Sequence, residues 1–313
     1  MKVIINFSKG FKNTGKTARM VFLFFLINLA LSMVLAVPMY HSLKNSFGQS
    51  KVGERMSKGF DYLWWEEFRD EGKGLDKTFT PSIIGKGAIL NNLEAFVQMR
   101  FFKAPPLVLI VGILYIVLHV FLAGGILSIF NMDTPKFTAK GFFKGAATYF
   151  SRFFILMLIS WVFFIAAGIF LNEGLNSILD DVADNSLSEI TPFYLGLLFS
   201  AIIFFLMLFI QMVFDYARIK IVLEDRRNVL KSALEAFGFV FKHPGSTLGL
   251  YYLILLIHVV VTIIYIFIKE FIPQSAFIGV LFAFLIQQLF IFALIWVRCW
   301  LYSSQMELYR YIK

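Results

Sequence analysis

Cysteine is almost absent from this chain of 313 residues, in which Cys299 is the only one. An intramolecular disulfide is therefore excluded, and so is a zinc site built from several cysteines. The sequence also lacks the H-E-x-x-H, paired C-x-x-C and G-x-S-x-G motifs, and His41 and His243 stand isolated. We therefore predict no metal site, no cofactor and no catalytic residues. We expect a protein that is not an enzyme.

Charged residues are also scarce. They make up 16% of the chain, whereas soluble domains average about 25%. Hydrophobic residues make up 59%, the mean hydropathy is +0.76, and phenylalanine alone occurs 39 times. Bulky aromatic side chains suit surfaces among acyl chains and headgroups. The composition therefore excludes an ordinary soluble domain and indicates a membrane protein.

Six stretches are long and apolar enough to cross a membrane, since a hydrocarbon core of about 30 Å requires ~20 apolar residues. They are residues 18–38, 106–130, 153–171, 193–214, 249–268 and 276–298. We expect an all-α polytopic membrane protein with six transmembrane helices and a single membrane domain over residues 1–313. Residues 39–105 are expected to form an extracytoplasmic cap insert between the first and second spans.

The segments that connect the spans differ in charge. Lysine and arginine dominate residues 1–19, 131–152 and 215–248, whereas residues 172–191 carry five acids and no basic residue. Short loops rich in lysine and arginine lie in the cytoplasm. We therefore predict that both termini and the basic segments are cytoplasmic.

The segment "FTAKGFFKGAATYFSRFFILML", residues 137–158, places spaced lysines and phenylalanines directly before a span. As a helix, it has Lys140, Lys144 and Thr148 on one face. The opposite face is an apolar stripe made of Phe143, Ala146, Ala147, Phe150, Phe153 and Phe154. Such a pattern predicts an amphipathic elbow helix in the headgroup plane, followed by a bend into the third span.

The same arrangement appears twice more. In "RRNVLKSALEAFGFVFKHPGS", Arg227, Lys231 and Glu235 lie opposite an apolar stripe, and Pro244 with Gly245 predicts the bend. That stripe consists of Val229, Leu230, Ala233, Leu234, Phe237 and Val240 or Phe241. A weaker copy, "FSKGFKNTGKTARM", precedes the first span. The chain therefore reads as a pseudo-threefold repeat whose units begin near residues 5, 137 and 227. The alternative is that the two later elbows are ordinary cytoplasmic loop helices.

The formal charge of +9 has a physical explanation in these elbows. Each lysine or arginine near an anionic leaflet contributes about 1 kcal/mol of attraction. The basic balance therefore indicates anionic phospholipid of the cytoplasmic leaflet as a partner, without nucleic acid, and no protein partner is indicated. The residues expected to contact lipid are Lys140, Lys144, Arg152, Arg227 and Lys231.

The runs "HVFLAGGILSIFN…FTAKGFFKGAATYFSRFFILMLI" and "DYARIKIVLEDRRNVLKSALEAFGFVFKHPGSTLGLYYL" resemble a group of uncharacterised bacterial inner-membrane proteins. That group is in turn similar to the membrane domain fused to some glycerophosphodiester phosphodiesterases. The similarity covers roughly residues 105–260 and consists of patterns of Phe, Gly and Arg. It implies a six-span protein of the bacterial inner (cytoplasmic) membrane with unassigned activity. No catalytic residues carry over.

Several polar residues fall near mid-bilayer depth when 1.5 Å is counted for each helical residue. They are Asn28, His119, His258, Gln287 and Gln288. Together they predict either a polar mid-membrane cavity, as in a transporter or channel, or hydrogen bonds between spans that contribute ~0.6 kcal/mol each. None of them is a carboxylate, which a proton- or sodium-coupled transporter usually has at this depth.

The sequence predicts an ion pair between two spans and a set of small residues at which helices pack closely. Asp215 and Arg298 lie near the cytoplasmic ends of the fourth and sixth spans and are expected to form a structural ion pair. Gly124 and Gly125 in the second span and residues 166–168 in the third allow close backbone approach, and we interpret them as packing positions.

The segment "GFKNTGKT", Gly10 to Thr17, matches the phosphate-loop pattern G-x-x-x-x-G-K-[ST]. A phosphate loop requires a strand before it and a soluble α/β domain around it. The following helix is hydrophobic on all sides, so we interpret these glycines and lysines as part of the first elbow.

The segment "DYLWWEEFRDEGKG" in the cap insert contains Trp64, Trp65, Glu66 and Glu67. Paired carboxylates beside aromatic rings can form an acid–base site, which would make an intramembrane enzyme a third hypothesis. The favoured interpretation is an amphipathic segment with tryptophan at the outer headgroup level. Our first hypothesis remains a non-enzymatic scaffold or lipid-associated accessory protein, with a transporter or channel as the alternative.

Overall fold

The computed structural model describes residues 2–48, 51–52, 54–55, 60–79, 105–186, 188, 190–272 and 277–313. These residues are helical apart from short connections, and they contain no strand. The helices are α1 (Lys2–Lys16), α2 (Ala18–Phe47), α3 (Tyr62–Glu71), α4 (Pro106–Phe130), α5 (Ala139–Asn185), α6 (Ile190–Leu223), α7 (Val229–Lys242), α8 (Pro244–Glu270) and α9 (Phe277–Ile312), with one 3-10 turn at Asp76–Thr78.

Six helices among the described residues are long and apolar enough to cross a membrane: α2, α4, α5, α6, α8 and α9. The prediction of an all-α, six-span membrane protein is therefore confirmed. All six have 25 residues or more, which exceeds the ~20 that a bilayer requires. With 47 residues, α5 is about 70 Å long, against a hydrocarbon core of about 30 Å. Part of α5 must therefore lie outside the hydrocarbon.

The packed core lies at one end of the helix bundle. At this end are α1, the loops 131–138 and 224–228, α7 and the last turns of α9, and we call it the basic end. The opposite end, which carries α3, is called the cap end. The buried stretches are Val120–Phe130 of α4, Ile210–Val222 of α6 and Ile295–Tyr309 of α9, each of which has at most a few half-buried members. The elbow helices and the ends of the spans thus form one tightly packed base.

Towards the cap end the spans expose their apolar side chains. In α9, residues 277–290 are all exposed or half-exposed, and Phe277, Leu281 and Leu289 are prominent examples. The outer halves of α6 and α8 are similar. Large apolar side chains exposed around the whole circumference of a helix are stable in contact with lipid. The spans are therefore joined at the basic end and offer apolar surface to the bilayer above it.

The predicted bend before the third span is wrong, because α5 runs without a break from Ala139 to Asn185. Thr138 caps its N-terminus by accepting a hydrogen bond from the Gly141 amide at 3.2 Å. Neither proline nor glycine occurs between residues 146 and 167, so the chain has no residue that favours a helix break there. The other two elbows do end before their spans, at Thr17 and at His243 with Pro244.

The buried face of the first turns of α5 also differs from the predicted stripe. Phe142, Ala146 and Phe153 are buried, whereas Phe143 and Ala147 are exposed. Glycines on α4 explain this orientation. A Cβ atom on Gly125 would lie 2.7 Å from the Phe142 ring, and one on Gly124 would lie 3.2 Å from the Ala146 carbonyl oxygen. These glycines therefore receive the beginning of α5, and the prediction that Gly124 and Gly125 are packing positions is confirmed.

Candidate functional site

The basic end carries a helix, α7, that has apolar side chains on two faces. Val229, Ala233 and Val240 are buried, in agreement with the predicted stripe. Of the other apolar side chains in that stripe, Phe237 is half-buried against the core, whereas Leu230, Leu234 and Phe241 point outward and are 58%, 62% and 67% exposed. They repeat at i, i+4 and i+11, so they follow one side of the helix. This exposed stripe lies beside the exposed side chain of Lys231.

The other elbow, α1, also faces outward with its apolar side. Asn6, Gly10 and Thr14 are buried, whereas Ile4 and Phe11 are exposed. A water-facing helix would show the opposite pattern. The cause is a close contact with α9, in which a Cβ atom on Gly10 would lie 2.0 Å from the Ser304 hydroxyl. Because only a small, polar face fits against α9, the apolar face of α1 lies at the surface of the protein.

An aromatic contact fixes the rotation of α1 about its axis. The indole Nε1 of Trp300 donates to the Phe7 carbonyl at 2.9 Å. The Trp300 ring also packs against the rings of Phe7 and Phe11, with centroid separations of 4.5 Å and 4.9 Å. Gly10 to Lys16 are part of the same helix. The phosphate-loop match therefore does not form a phosphate-binding loop.

The basic residues expected to contact lipid fall into two groups. Lys140, Lys144, Arg227 and Lys231 are exposed, and none of their charged groups pairs with a residue that the structure describes. Arg152 is different. Its Nη1 donates to Asp225 at 2.6 Å and to the Arg226 carbonyl at 3.3 Å, and its side chain is 19% exposed. Arg152 therefore holds the loop between α6 and α7, and its expected contact with lipid stays a prediction.

Glu224 anchors the same loop to the end of α9. Its carboxylate accepts hydrogen bonds from the Tyr309 hydroxyl at 2.6 Å, from Arg226 Nε at 2.8 Å and from the Lys313 ammonium group. Burial by itself would raise the pKa of Glu224, but the hydrogen bonds from Lys313, Tyr309 and Arg226 lower it to about 2. Glu224 is thus a stable anion that positions the loop leading into α7.

A second contact connects the end of α4 to the last turns of α9. Arg310 donates to the carbonyl oxygen and to the side-chain oxygen of Asn131, both at 3.0 Å. Arg310 also pairs with Glu307 at 3.1 Å, and Glu307 accepts from Asn13 of α1 at 3.5 Å. These contacts hold α1, α4 and α9 together at the basic end. Sequence reasoning missed them because they depend on which helix ends are neighbours.

Asp215 is the centre of a buried charge cluster between α6 and α9. Its Oδ1 atom accepts from Arg218 and Arg298, both at 3.0 Å, and from Gln211 at 3.1 Å. The Tyr302 hydroxyl accepts from the same two guanidinium groups, at 3.1 Å from Arg218 and 3.0 Å from Arg298. The Asp215–Arg298 pair expected from the sequence is thus in contact. Two spacings in the sequence could have identified the other members: Gln211, Asp215 and Arg218 share one face of α6, and Arg298 and Tyr302 are one turn apart on α9.

The mid-membrane polar residues are not joined to one another. Asn28 donates to the Phe24 carbonyl of its own helix at 2.8 Å, and His119 Nδ1 lies 2.8 Å from the Tyr115 carbonyl. His258 and Gln288 are half-buried, and Gln287 is exposed. No hydrogen bond links any two of these five side chains, all of which the structure describes. The geometry therefore gives no direct contact on which a polar cavity could be built.

The tryptophan segment of the cap insert forms a small apolar core of its own. Trp64 is buried with Val52 and Phe68, and its Nε1 donates to Ser46 at 3.0 Å. Glu66 and Glu67 are exposed, and neither forms a hydrogen bond or a salt bridge with a residue that the structure describes. Trp64 is therefore a core residue of the cap and not an interfacial anchor, and the two glutamates do not form an acidic pocket. Residues 80–104 of the predicted cap insert lie outside the described residues.

A scan of protein-family models, a search of curated proteins and a search of solved structures each give no match for this chain. The resemblance to inner-membrane proteins therefore stays a prediction. The fold itself defines the class, which is a polytopic α-helical membrane protein.

Proposed function

We propose that this protein is a non-enzymatic, lipid-associated scaffold of the bacterial inner membrane. In this proposal the basic end faces the cytoplasm and binds anionic phospholipid of the inner leaflet. One observation carries it: α1 and α7 turn apolar side chains outward at the end of the molecule where the exposed Lys140, Lys144 and Lys231 form no salt bridge with a residue that the structure describes. Helices that present apolar and basic groups together are suited to the boundary between headgroups and acyl chains.

The energetics favour that position for α7. Burial of apolar surface contributes roughly 25 cal/mol per Å², so Leu230, Leu234 and Phe241 favour immersion in the bilayer boundary over water. Each free lysine near an anionic leaflet adds about 1 kcal/mol. Lys231 lies on the same helix, and Lys140 and Lys144 extend the basic surface along α5. The combined attraction is sufficient to hold the elbows against the leaflet and to concentrate anionic lipid around them.

The packed base gives this surface a fixed shape. Glu224 holds the loop before α7, Arg152 binds the same loop, and Gly10 lets α1 lie against α9. A surface built on such contacts presents its lysines at constant separations, as a scaffold requires. The alternative of a transporter or channel has less support, because Asn28 and His119 satisfy polar atoms within their own helices.

Lipid retention tests the proposal. A Lys140→Gln, Lys144→Gln, Lys231→Gln variant and the unmodified protein are purified from membranes that contain both phosphatidylglycerol and phosphatidylethanolamine. We expect the variant to retain several-fold less phosphatidylglycerol and an unchanged amount of phosphatidylethanolamine. A control with the same loss of charge at the cap end, Lys51→Gln, Lys73→Gln, Lys77→Gln, should retain both lipids normally. Equal retention by the two variants would refute the proposal.

A further inference from the structure

We infer that Arg298, together with Arg218, forms a binding site for a phosphate-bearing anion at the junction of α6 and α9. The residues differ from those of the elbow surface, so this site does not depend on the proposed function. The first argument is the balance of charge. Two guanidinium groups share one carboxylate, that of Asp215, and no other acid among the described residues pairs with either of them. The cluster therefore carries an excess positive charge.

This excess charge is largely removed from water. Asp215 is fully buried, and the side chains of Arg218 and Arg298 are only 11% and 32% exposed. A charge removed from water without a partner costs several kcal/mol. Asp215 supplies one negative charge against two positive ones, and its second oxygen, Oδ2, is buried without a hydrogen bond. An anion next to the guanidinium groups would remove the imbalance.

Arg298 has donors available for such an anion. Its contacts with Asp215 and Tyr302 both use Nη2, which leaves Nε and Nη1 without a partner among the described residues. Both bidentate edges of a guanidinium group include Nη2, so Nε and Nη1 do not act as a fork, but each of their N–H groups can donate singly to a phosphate oxygen. Arg298 is also the most exposed member of the cluster, so the approach is from its side. Arg218 contributes charge from behind, with its Nε buried and unpaired.

The depth of Arg298 in the membrane fits a phospholipid headgroup. It lies 21 residues after Phe277, the first residue of α9, and therefore about 32 Å along the helix axis. That distance is close to the thickness of the hydrocarbon core, about 30 Å. The guanidinium group thus lies where the phosphates of the leaflet at the basic end begin. Leu281, Leu285 and Leu289, which precede it on α9, are exposed and offer apolar surface to an acyl chain.

The shared chemistry is a phosphate group, which can belong to a phospholipid or be inorganic phosphate, and one experiment distinguishes the two. The melting temperature of the detergent-purified protein is measured with added phosphatidylglycerol, with phosphatidylcholine, and with inorganic phosphate at constant ionic strength. We expect phosphatidylglycerol or inorganic phosphate to raise the melting temperature. A rise with phosphatidylglycerol alone identifies a lipid site, and a rise with inorganic phosphate identifies a site for a free anion. If neither raises it, the inference is wrong.

Two variants with opposite expected effects separate a binding site from a purely structural ion pair. Arg298→Gln should weaken the binding of whichever ligand is effective at least fivefold. Asp215→Asn raises the excess charge, so the ligand should raise its melting temperature more than it raises that of the unmodified protein. This holds even though the melting temperature of Asp215→Asn without ligand is lower. Arg69→Gln, which removes an arginine of α3 at the cap end, should bind as the unmodified protein does. If Arg298→Gln does not fold, Arg298→Lys keeps the charge but not the guanidinium group and should bind more weakly. A shift in Asp215→Asn no larger than in the unmodified protein would overturn the assignment.

Discussion

Gly10 of α1 lies directly against Ser304 of α9, so closely that a Cβ atom at position 10 would be 2.0 Å from the Ser304 hydroxyl oxygen and 2.8 Å from its Cα. The absence of a side chain at this one position decides how α1 lies on the bundle. Because its small polar face is held against α9, Ile4 is 67% exposed, and Phe11 is 49% exposed although one side of its ring contacts Trp300. The outward apolar face on which the proposed function depends is thus a consequence of helix packing.

Replacement of Gly10 by alanine is expected to destabilise the protein. The added methyl group would overlap the backbone of Ser304, which no side-chain rotation can relieve, and overpacking of this kind typically costs about 1–3 kcal/mol. Gly15→Ala is the matched control, because a Cβ atom there meets nothing within 4 Å and alanine is the better helix former by roughly 0.5–1 kcal/mol. Thermal unfolding in detergent measures both. Equal melting temperatures for the two variants would contradict the packing described for α1.

Asp215→Asn is expected to be strongly destabilising. The substitution keeps the size of the side chain but leaves Arg218 and Arg298 as buried charges without a counterion, and loss of one partner from a buried pair costs about 3–5 kcal/mol. The control is Asp225→Asn, which removes a carboxylate that is 72% exposed and pairs with Arg152. An exposed pair contributes about 1 kcal/mol or less. Comparable losses in melting temperature would show that the Asp215 cluster does not stabilise the junction of α6 and α9.

Glu224 is expected to make the stability of the basic end depend on pH. The folded protein lowers the pKa of this carboxyl group from an ordinary value of 4.5 to about 2. A lowered pKa means that the contribution to stability is complete above about pH 4.5 and is lost as the pH falls towards 2. Glu224→Gln should therefore be less stable than the unmodified protein at pH 7, and the difference should shrink between pH 4.5 and pH 2.

The control for that measurement is Glu67→Gln, on the exposed side of α3, which should follow the unmodified protein at every pH. The readout is the melting temperature across the range from pH 7 to pH 2.5. A difference between Glu224→Gln and the unmodified protein that stays constant over this range would mean that the carboxylate is not held by Lys313, Tyr309 and Arg226 as described.

The exposed stripe of α7 should contribute to membrane attachment and not to folding. Leu234, which is 62% exposed, contacts little of the protein, so Leu234→Gln should change the free energy of unfolding in detergent by no more than about 0.5 kcal/mol. The same variant should bind less phosphatidylglycerol, because a polar side chain disfavours immersion of the helix. Val240→Gln, at a buried position of the same helix, should instead reduce stability by about 2 kcal/mol or more. A large loss of stability from Leu234→Gln would place α7 inside the fold.

The six spans could be predicted from the sequence because each is an apolar run much longer than a buried helix of a soluble protein needs. The break before the fifth span could be predicted as well, since Pro244 cannot continue α7. The continuity of α5 could not, because amphipathicity before a span is compatible with a bent or a straight helix. Only the contact of Phe142 with Gly125 shows which side of α5 is covered.

Part of the candidate site could also be predicted from the sequence. Opposite charges near the ends of two spans indicated that Asp215 and Arg298 form a pair. The sequence could not show that Arg152 is engaged by Asp225, because the two are 73 positions apart and meet only when α5 packs beside the loop that follows α6. Nor could the pattern of α1 reveal that its polar face is the buried one, since that depends on Ser304 and Trp300 of the last helix.

The most direct test of the account is the side of the membrane on which α7 lies. Cys299 is fully buried, so single cysteines can be placed at the exposed positions Lys231, in α7, and Asp184, near the opposite end of α5. A membrane-impermeant maleimide is then applied to intact bacterial cells that express each variant, before and after permeabilisation. The account predicts that Asp184→Cys is labelled in intact cells and that Lys231→Cys is labelled only after permeabilisation. Labelling of Lys231→Cys in intact cells would place the basic end outside and contradict its assignment to the anionic inner leaflet.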